Sequence, residues 1–404
     1  MGVILRCANN PQQPPESIVR DVPRDLSNEL SRLTLAYVDR IDPTTDISMQ
    51  LVGNFGGFLM CVPARLGRNE SLDAAADLLV STYSRFRTGH LTPTTEILTK
   101  HSRALNALGR CLDDPVKASA SETLASVWLL MISQMFTGQK PHPGMSHSVG
   151  AAQILKARGY AGARDKFEQI LLASLRGPVV VEALSDTRIQ FTPQEWADLV
   201  VIGLDNGTLE GEMMTCLGRL PHLLQRGRLA LKHSFNGEPV ERIRNELYDV
   251  YQTYAPVVAS LRHRWRNIDT NTLNNPMLNT AQKRIMHCNH SRIFAFGLAI
   301  GLIINSALCT LSVPTNEIAL IRDESTSMAS EILELAPIVG MYRPLGAAAM
   351  TLCLGAAWVA AGDSRIREQI EAMAMDFQGD FHSEGTRITK ADLCWYSMRF
   401  NLEG

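Results

Sequence analysis

Three oxygen-bearing side chains follow one another at intervals of four residues near the C-terminal end of the chain: Asp323, Ser327 and Glu331. Because an α-helix has about 3.6 residues per turn, side chains at this spacing lie one above another on a helix. Two carboxylates and a hydroxyl are the hard oxygen donors that Mg²⁺ prefers, with water completing the coordination. These three residues, the triad, therefore predict a magnesium site. A solvated helix face is the alternative interpretation.

A second acidic group, formed by Asp198 and Asp205, is the best candidate for the opposite wall of such a site. Enzymes that ionise a diphosphate ester hold several magnesium ions from two sides, so the triad alone is not sufficient. Seven residues are close to two helical turns, and this spacing predicts that the two carboxylates of the acidic pair share one helix face. The alternative is that Asp205, which precedes Asn206 and Gly207, ends a helix and that Asp198 is exposed.

A bound diphosphate also needs cationic partners, and three further residues are candidates for contacting it. Arg292 lies one turn before the most apolar stretch of the chain, where its guanidinium could face inward. Tyr396 and Arg399 are three residues apart on the predicted last helix, so their side chains are neighbours. A surface position or a structural role is the alternative for each of them.

The composition is that of an ordinary globular protein and excludes several functional classes. The 404 residues are 45% hydrophobic and 20% charged, with a net charge of −2 and no basic stripe of the kind that direct nucleic-acid binding requires. The eight cysteines form no C-x-x-C pair, which favours reduced thiols over a zinc cluster or a disulfide framework. The N-terminus has no signal-peptide pattern, so we expect a cytoplasmic protein.

Helical periodicity runs through most of the sequence, and strand patterns are nearly absent. Residues 1–24 are rich in proline and polar side chains and are expected to form an arm, with one all-α domain over residues 25–404. The run 178–182, PVVVE, is the only one that resembles a strand. The apolar run 293–311 is nearly long enough to cross a membrane, but a helix that is apolar on all sides is typical of a bundle centre. We therefore predict a single large helical bundle with a central buried helix and no membrane span.

Residues 101–159 resemble the fungal-specific transcription factor domain, a helical family. The likeness rests on the phrases HSRALNALGRCLDDP, SETLA and SHSVGAAQILKARG, and it continues loosely to the C-terminus. The resemblance implies a regulatory or ligand-binding domain. The N-terminal six-cysteine zinc cluster that such regulators usually carry is missing from this sequence, so direct DNA binding by that route is not expected.

The acidic residues also resemble a second family, the atypical fungal class I sesquiterpene cyclases that make α-humulene in tropolone-sesquiterpenoid pathways. The triad matches the metal triad of class I cyclases, and the acidic pair would replace their aspartate-rich site, because this sequence has no DDxxD box. Tyr396 and Arg399 lie downstream, where some class I cyclases place a diphosphate-sensing pair. The resemblance implies farnesyl diphosphate as the substrate, Mg²⁺ as the cofactor and a humulene-type hydrocarbon as the product.

The cyclase interpretation requires a closed apolar pocket, because water would quench an allylic cation. The core residues expected to form its walls are Phe294, Phe296, Leu298, Leu302 and Trp358. This interpretation predicts a deep cavity with carboxylates at its mouth, whereas a regulatory domain would carry Asp323 and Glu331 on an outer face. A metal-free cyclase or isomerase would keep the cavity without the carboxylates. The sequence alone favours the magnesium-dependent cyclase, with the regulatory domain as the alternative.

Overall fold

The computed structural model of this chain contains helices, turns and loops, and no strand occurs in its described part. It describes residues 28–404 apart from 42–45, 139–146, 160–162, 164, 206, 233–238, 274–276, 312–314, 384–385, 387–388, 391, 394–401 and 403–404. The prediction of an all-α bundle is confirmed. The predicted N-terminal arm, residues 1–24, lies outside the described residues.

Fifteen α-helices and two 3₁₀ helices make up the described part of the chain. They are α1 (Glu29–Ile41), α2 (Leu51–Phe55), the 3₁₀ helix Gly57–Arg65, α3 (Glu70–Arg87), α4 (Thr95–Leu112), α5 (Pro115–Ala118), α6 (Ser121–Met135), α7 (His147–Arg158), α8 (Lys166–Ala183), α9 (Pro193–Val201), α10 (Leu209–Lys232), α11 (Val240–Leu273), α12 (Thr280–Thr310), α13 (Thr315–Gly340), the 3₁₀ helix Leu345–Ala347, α14 (Met350–Ala360) and α15 (Ser364–Gln378).

Polar side chains at helix starts explain where several helices begin. The Asn69 side-chain oxygen accepts hydrogen bonds from the first backbone N–H groups of α3, and Asp114 does the same for α5. Asn279 and Gln282 form a reciprocal capping box at the start of α12. These short-range signals fix helix starts without help from the tertiary structure.

The central helix of the C-terminal half is α12, which packs against α11, α13 and α14. Most of its residues between 294 and 308 are buried. It is the one described helix that is long and apolar enough to cross a membrane, and its apolar surface is mostly buried inside the bundle. The core helix of a globular protein has these properties, so the finding is compatible with the predicted absence of a membrane span.

Two glycines of α12 allow its neighbours to approach closely. A Cβ atom added at Gly297 would lie 2.5 Å from Leu261 Cδ1 of α11, and one added at Gly301 would lie 2.9 Å from Met328 Sδ of α13. The Tyr254 hydroxyl of α11 donates a hydrogen bond to the Gly297 carbonyl at 2.9 Å. The small residues thus allow close packing of α12 on α11 and on α13, the helix that carries the predicted metal triad.

One local resemblance to a strand is not realised, and one local prediction is wrong. The strand-like run 178–182 continues α8, because Val179 and Val180 bury their side chains in the helix-packed core rather than in a sheet. The helix that carries Asp198 ends at Val201, and Gly203 follows in the left-handed conformation with φ +65°. A glycine in this conformation is a common helix stop. Asp205 therefore lies in the connection that follows α9.

Candidate functional site

The triad lies on α13. Its first two residues face solvent, and its third faces α11. Asp323 and Ser327 are exposed, and Glu331 is half-buried. Four residues turn a helix by about 400°, which is about 40° more than a full turn. The three side chains therefore wind around the helix instead of forming a straight column. Asp323 and Glu331 consequently face different surroundings.

The carboxylate of Glu331 is held by Arg262 of α11. Arg262 Nε donates to Glu331 Oε2 at 2.7 Å, and Arg262 Nη2 donates to Oε1 at 2.8 Å. This bidentate geometry is the strongest that a guanidinium and a carboxylate form. The hydrogen bonds with Glu331 raise the pKa of Arg262 above its ordinary value. Both Glu331 oxygens are thus occupied by a protein cation.

Glu324 of α13, which sequence reasoning missed, contacts the central helix α12 as well as α11. Glu324 Oε2 accepts hydrogen bonds from the Tyr251 hydroxyl at 3.1 Å and from Asn305 Nδ2 at 3.3 Å. Burial, reinforced by the neighbouring Glu324 charge, raises the pKa of Tyr251 to about 12. The signal in the sequence was the position of Glu324 inside the apolar stripe that contains Ile321 and Met328.

The acidic pair does not share a helix face, and this prediction is wrong because α9 ends before Asp205. Asp198 Oδ1 accepts a hydrogen bond from Gln194 Nε2 at 2.8 Å. Asp205 is exposed and accepts the backbone N–H of Gly207 at 2.9 Å, which is the helix-stop role given above as the alternative. Helix α9 packs mainly on α8 and α10, whereas α13 packs mainly on α12, α14 and α15. The pair and the triad thus stand on elements with different main neighbours.

The predicted cationic residues have mixed outcomes. Arg292 of α12 is half-buried, and its Nη1 donates to Asn54 Oδ1 at 2.8 Å. Tyr396 and Arg399 lie outside the described residues. The predicted pocket walls lie in the bundle core, where all but the half-buried Phe296 are buried. Their role as the lining of a substrate pocket stays a prediction.

The oxygen donors named from the sequence do not fit a magnesium ion. Two members of the triad face solvent, the third is bound to Arg262, and Asp205 belongs to a turn. Across the described ranges, no three His, Cys, Asp or Glu side chains come together as a candidate metal site. A magnesium ion on the triad would have to displace the Arg262 guanidinium from Glu331.

Two residues of the segments that resemble the transcription factor domain, Ser121 and Arg158, take part in a buried polar network with Glu168 of α8. Arg158, at the end of α7, binds Glu168 of α8, and their side chains are only 5% and 4% exposed. The Ser121 hydroxyl of α6 donates to Glu168 Oε2 at 3.2 Å. Gly159 follows Arg158 with φ +66°, a conformation that glycine adopts without strain. The SETLA and ARG phrases therefore hold α6, α7 and α8 together.

A second ion-pair network extends this contact to the 3₁₀ helix Gly57–Arg65. Arg65 Nη1 binds Glu122 Oε1 at 2.8 Å, Arg65 Nη2 binds Asp165, and the guanidinium lies 4.6 Å from the centre of the Phe167 ring. Asp165 caps α8 by accepting the backbone N–H of Glu168 at 2.8 Å. This hydrogen bond and the Arg65 contact lower the pKa of Asp165. The network stabilises helix packing and has no arrangement typical of catalysis.

Two open clefts mark the described surface. The first has a volume of about 510 Å³ and lies between the start of the 3₁₀ helix Gly57–Arg65 and α8. The second has a volume of about 530 Å³ and lies between α13 and α15, with Leu333, Met373 and Asp376 in its lining. Neither cleft is lined by the predicted pocket walls or by the triad.

Comparison with known proteins returned no family model, no curated protein and no solved structure that matches this chain. The fold and the site therefore define the class by themselves. The described part of the chain forms an all-α bundle in which Asp205 and Asp323 are exposed and Asp198 and Glu331 are half-buried.

Proposed function

We propose that this chain is a non-enzymatic regulatory domain, similar to the fungal-specific transcription factor domain, that acts by binding other molecules. The observation that carries the proposal is the position of the triad. Asp323 is exposed on the outer side of α13, and Glu331 is neutralised by Arg262 of the neighbouring helix. A class I cyclase needs both carboxylates free at the mouth of a pocket. A regulatory domain sets no such requirement and is compatible with the observed placement.

The phrases that resemble the regulatory family give independent support. Arg158, Glu168 and Ser121 place the family-like segments at the contact of three helices, where a structural scaffold needs them. A buried ion pair with an additional hydrogen bond fixes one arrangement of neighbouring helices, because breaking it leaves an uncompensated charge. The segments that resemble the regulatory family thus contribute to the helix scaffold, and a shared scaffold is what the proposal expects of them.

The magnesium-dependent sesquiterpene cyclase stays a prediction that one experiment separates from the regulatory proposal. The purified chain is incubated with farnesyl diphosphate and Mg²⁺, and the products are analysed by gas chromatography with mass detection. We expect no hydrocarbon. A hydrocarbon product that Asp323→Ala and Glu331→Ala both abolish would overturn the proposal and establish the cyclase.

A second experiment tests regulation directly. The full chain is fused to a heterologous DNA-binding domain, and transcription of a reporter gene is compared with that given by the DNA-binding domain alone. We expect the fusion to change reporter transcription several-fold. The Glu168→Ala fusion serves as the matched control, because it removes the buried ion pair that holds the scaffold together. A reporter signal unaffected by the wild-type fusion would count against a regulatory role.

A further inference from the structure

The cleft between the start of the 3₁₀ helix Gly57–Arg65 and α8 is lined by several glycines. Gly53, Gly56, Gly57 and Gly203 contribute to its lining, so backbone is accessible from the cleft. Gly56 has φ +116°, and a Cβ atom there would lie 2.5 Å from Ser174 Cβ of α8. Glycine is therefore required at this point for the loop to pass against α8. The resulting space, about 510 Å³, is in the range of small-molecule sites.

The side chains that do line the cleft combine an apolar floor with polar groups. Phe55 and Ile170 supply apolar surface, and Asn54, Gln169 and Ser174 supply amide and hydroxyl groups. The Gln169 side chain is exposed. A mostly apolar lining with a few polar groups is typical of sites for small organic ligands.

Two arginines hydrogen-bond to the cleft lining or to a residue next to it, and neither forms a salt bridge with a carboxylate in the described part of the chain. Arg176, one turn beyond Ala173 of the lining, donates from Nη1 to the carbonyl of Ile202, the residue before Gly203. Arg292 donates to Asn54 Oδ1 of the lining at 2.8 Å. Burial without a compensating acid lowers the pKa of the Arg176 guanidinium. Asp205, two residues after Gly203 of the lining, is exposed and accepts the N–H of Gly207.

Arg176 and Arg292 differ in this respect from Arg65 and Arg158, the arginines of the two ion-pair networks described above. Arg65 binds two carboxylates, and Arg158 binds Glu168. Binding of an anion next to a desolvated guanidinium is favourable, because the anion compensates a charge that little water stabilises. The two arginines belong to different helices, Arg176 to α8 and Arg292 to α12.

We propose that this cleft binds a small organic anion, an apolar body that carries a single carboxylate or phosphate group. The apolar part lies against Phe55 and Ile170, and the charged group lies in the field of Arg176 and Arg292. The site goes beyond the regulatory proposal and does not depend on it, since a ligand site can serve a regulator or any other helical protein.

The test uses two fluorescent probes that differ in charge. 8-Anilinonaphthalene-1-sulfonate has an apolar body and one negative charge, and N-phenyl-1-naphthylamine has nearly the same body without it. We expect saturable binding of the anionic probe at one site of the full chain. Arg176→Gln and Arg292→Gln should each lower the affinity for the anionic probe about tenfold and leave the affinity for the neutral probe nearly unchanged. Arg176→Lys, which keeps the charge, should retain most of the affinity.

Two further variants control for position and for folding. Ala173→Leu fills the cleft and should abolish the binding of both probes. Arg365→Gln, at an exposed arginine of α15, should leave the binding of both probes unchanged. Near-ultraviolet circular dichroism of each variant must match the wild type, because unfolded chains also bind these probes. Decanoate and decyl phosphate then compete with the anionic probe, and the stronger competitor identifies the preferred charged group.

The proposal is overturned if Arg176→Gln and Arg292→Gln bind the anionic probe as tightly as the Arg365→Gln control. It is also overturned if Ala173→Leu leaves probe binding unchanged, or if neither decanoate nor decyl phosphate displaces the probe. None of these outcomes depends on reporter transcription or on hydrocarbon formation, so the site and the proposed function can fail separately.

Discussion

Arg262 and Glu331, 69 residues apart in the chain, are joined by two parallel hydrogen bonds of 2.7 and 2.8 Å between α11 and α13. The pair occupies the position where the sequence predicts the third ligand of a magnesium site. An acidic residue at metal-ligand spacing thus serves to connect two long helices. Glu331 therefore has a structural role, because its cationic partner is the Arg262 guanidinium and not a metal ion.

The Arg262–Glu331 pair should stabilise the fold modestly. Their side chains are 27% and 21% exposed, so solvent screens part of the attraction. We expect a coupling free energy of about 1 kcal/mol from a double-mutant cycle with Arg262→Gln and Glu331→Gln, measured by urea denaturation. A coupling free energy near zero would show that the ion pair contributes nothing beyond its two separate side chains.

Mg²⁺ should not bind the triad. Asp323 and Ser327 are exposed and Glu331 is bound to Arg262, so millimolar Mg²⁺ should leave the melting temperature unchanged. Asp323→Ala should alter the free energy of unfolding by less than about 0.5 kcal/mol, as is usual for exposed positions. A rise in melting temperature with Mg²⁺ that Asp323→Ala removes would instead establish a metal site, because a ligand that binds the native state stabilises it.

The buried pair Arg158–Glu168 should be essential for stability. Glu168→Ala leaves the Arg158 guanidinium in a site where its side chain is 5% exposed, and loss of one partner of a buried pair costs about 3–5 kcal/mol. Chemical denaturation of the variant measures this loss. Glu334→Ala, at an exposed glutamate of α13, is the matched control and should change the free energy of unfolding by less than about 0.5 kcal/mol. Equal effects of the two substitutions would refute the structural role of the pair.

Replacement of Gly56 and of Gly109 by alanine should change the stability of the protein in opposite directions. At Gly56 the backbone has φ +116° and the added methyl group would meet Ser174, so Gly56→Ala should destabilise the protein by about 2–4 kcal/mol. At Gly109, inside α4, no atom lies within 4 Å of the added methyl group. Gly109→Ala should stabilise by about 0.5–1 kcal/mol through helix propensity. Thermal unfolding of both variants tests the pair of predictions, and a stable Gly56→Ala protein would contradict the packing described for the cleft.

His101 and His147 should make the protein less stable in mild acid. Burial lowers the pKa of both side chains, and the His101 charge lowers that of His147 further. A histidine with a lowered pKa in the folded state is protonated more readily in the unfolded chain. Its stabilising contribution is therefore complete above the ordinary value of about 6.5 and is lost as the pH falls through the folded-state pKa.

The melting temperature measured between about pH 7 and pH 5 tests this dependence. The double variant His101→Gln, His147→Gln should lose less stability than the wild type across the interval. A parallel decline of the two proteins would assign the acid sensitivity to other groups. Carboxylates such as Glu70 and Asp165, whose pKa values are lowered by Arg110 and by the Glu168 backbone respectively, contribute only at lower pH.

Local signals in the sequence predicted most of the helical architecture. Asn279 with Gln282, and Asp114 before Pro115, start their helices through hydrogen bonds to residues two or three positions away. The apolar run within α12 predicted its burial at the centre of the bundle. The strand-like run 178–182 continues α8, in agreement with the all-α prediction. The spacing of Asp198 and Asp205 misled, because α9 ends at Val201.

By itself the sequence determined an all-α fold, a central apolar helix and the presence of the oxygen donors on one helix, α13, because helix formation and periodicity depend on residues within a few turns. Only the tertiary structure decided that Glu324 contacts α11 and α12 while Asp323 faces solvent, and that Glu331 meets Arg262. It alone placed Arg176 and Arg292 beside a glycine-lined cleft. The physical reason is that the charge around a side chain comes from residues distant in sequence, and their positions depend on how the helices pack.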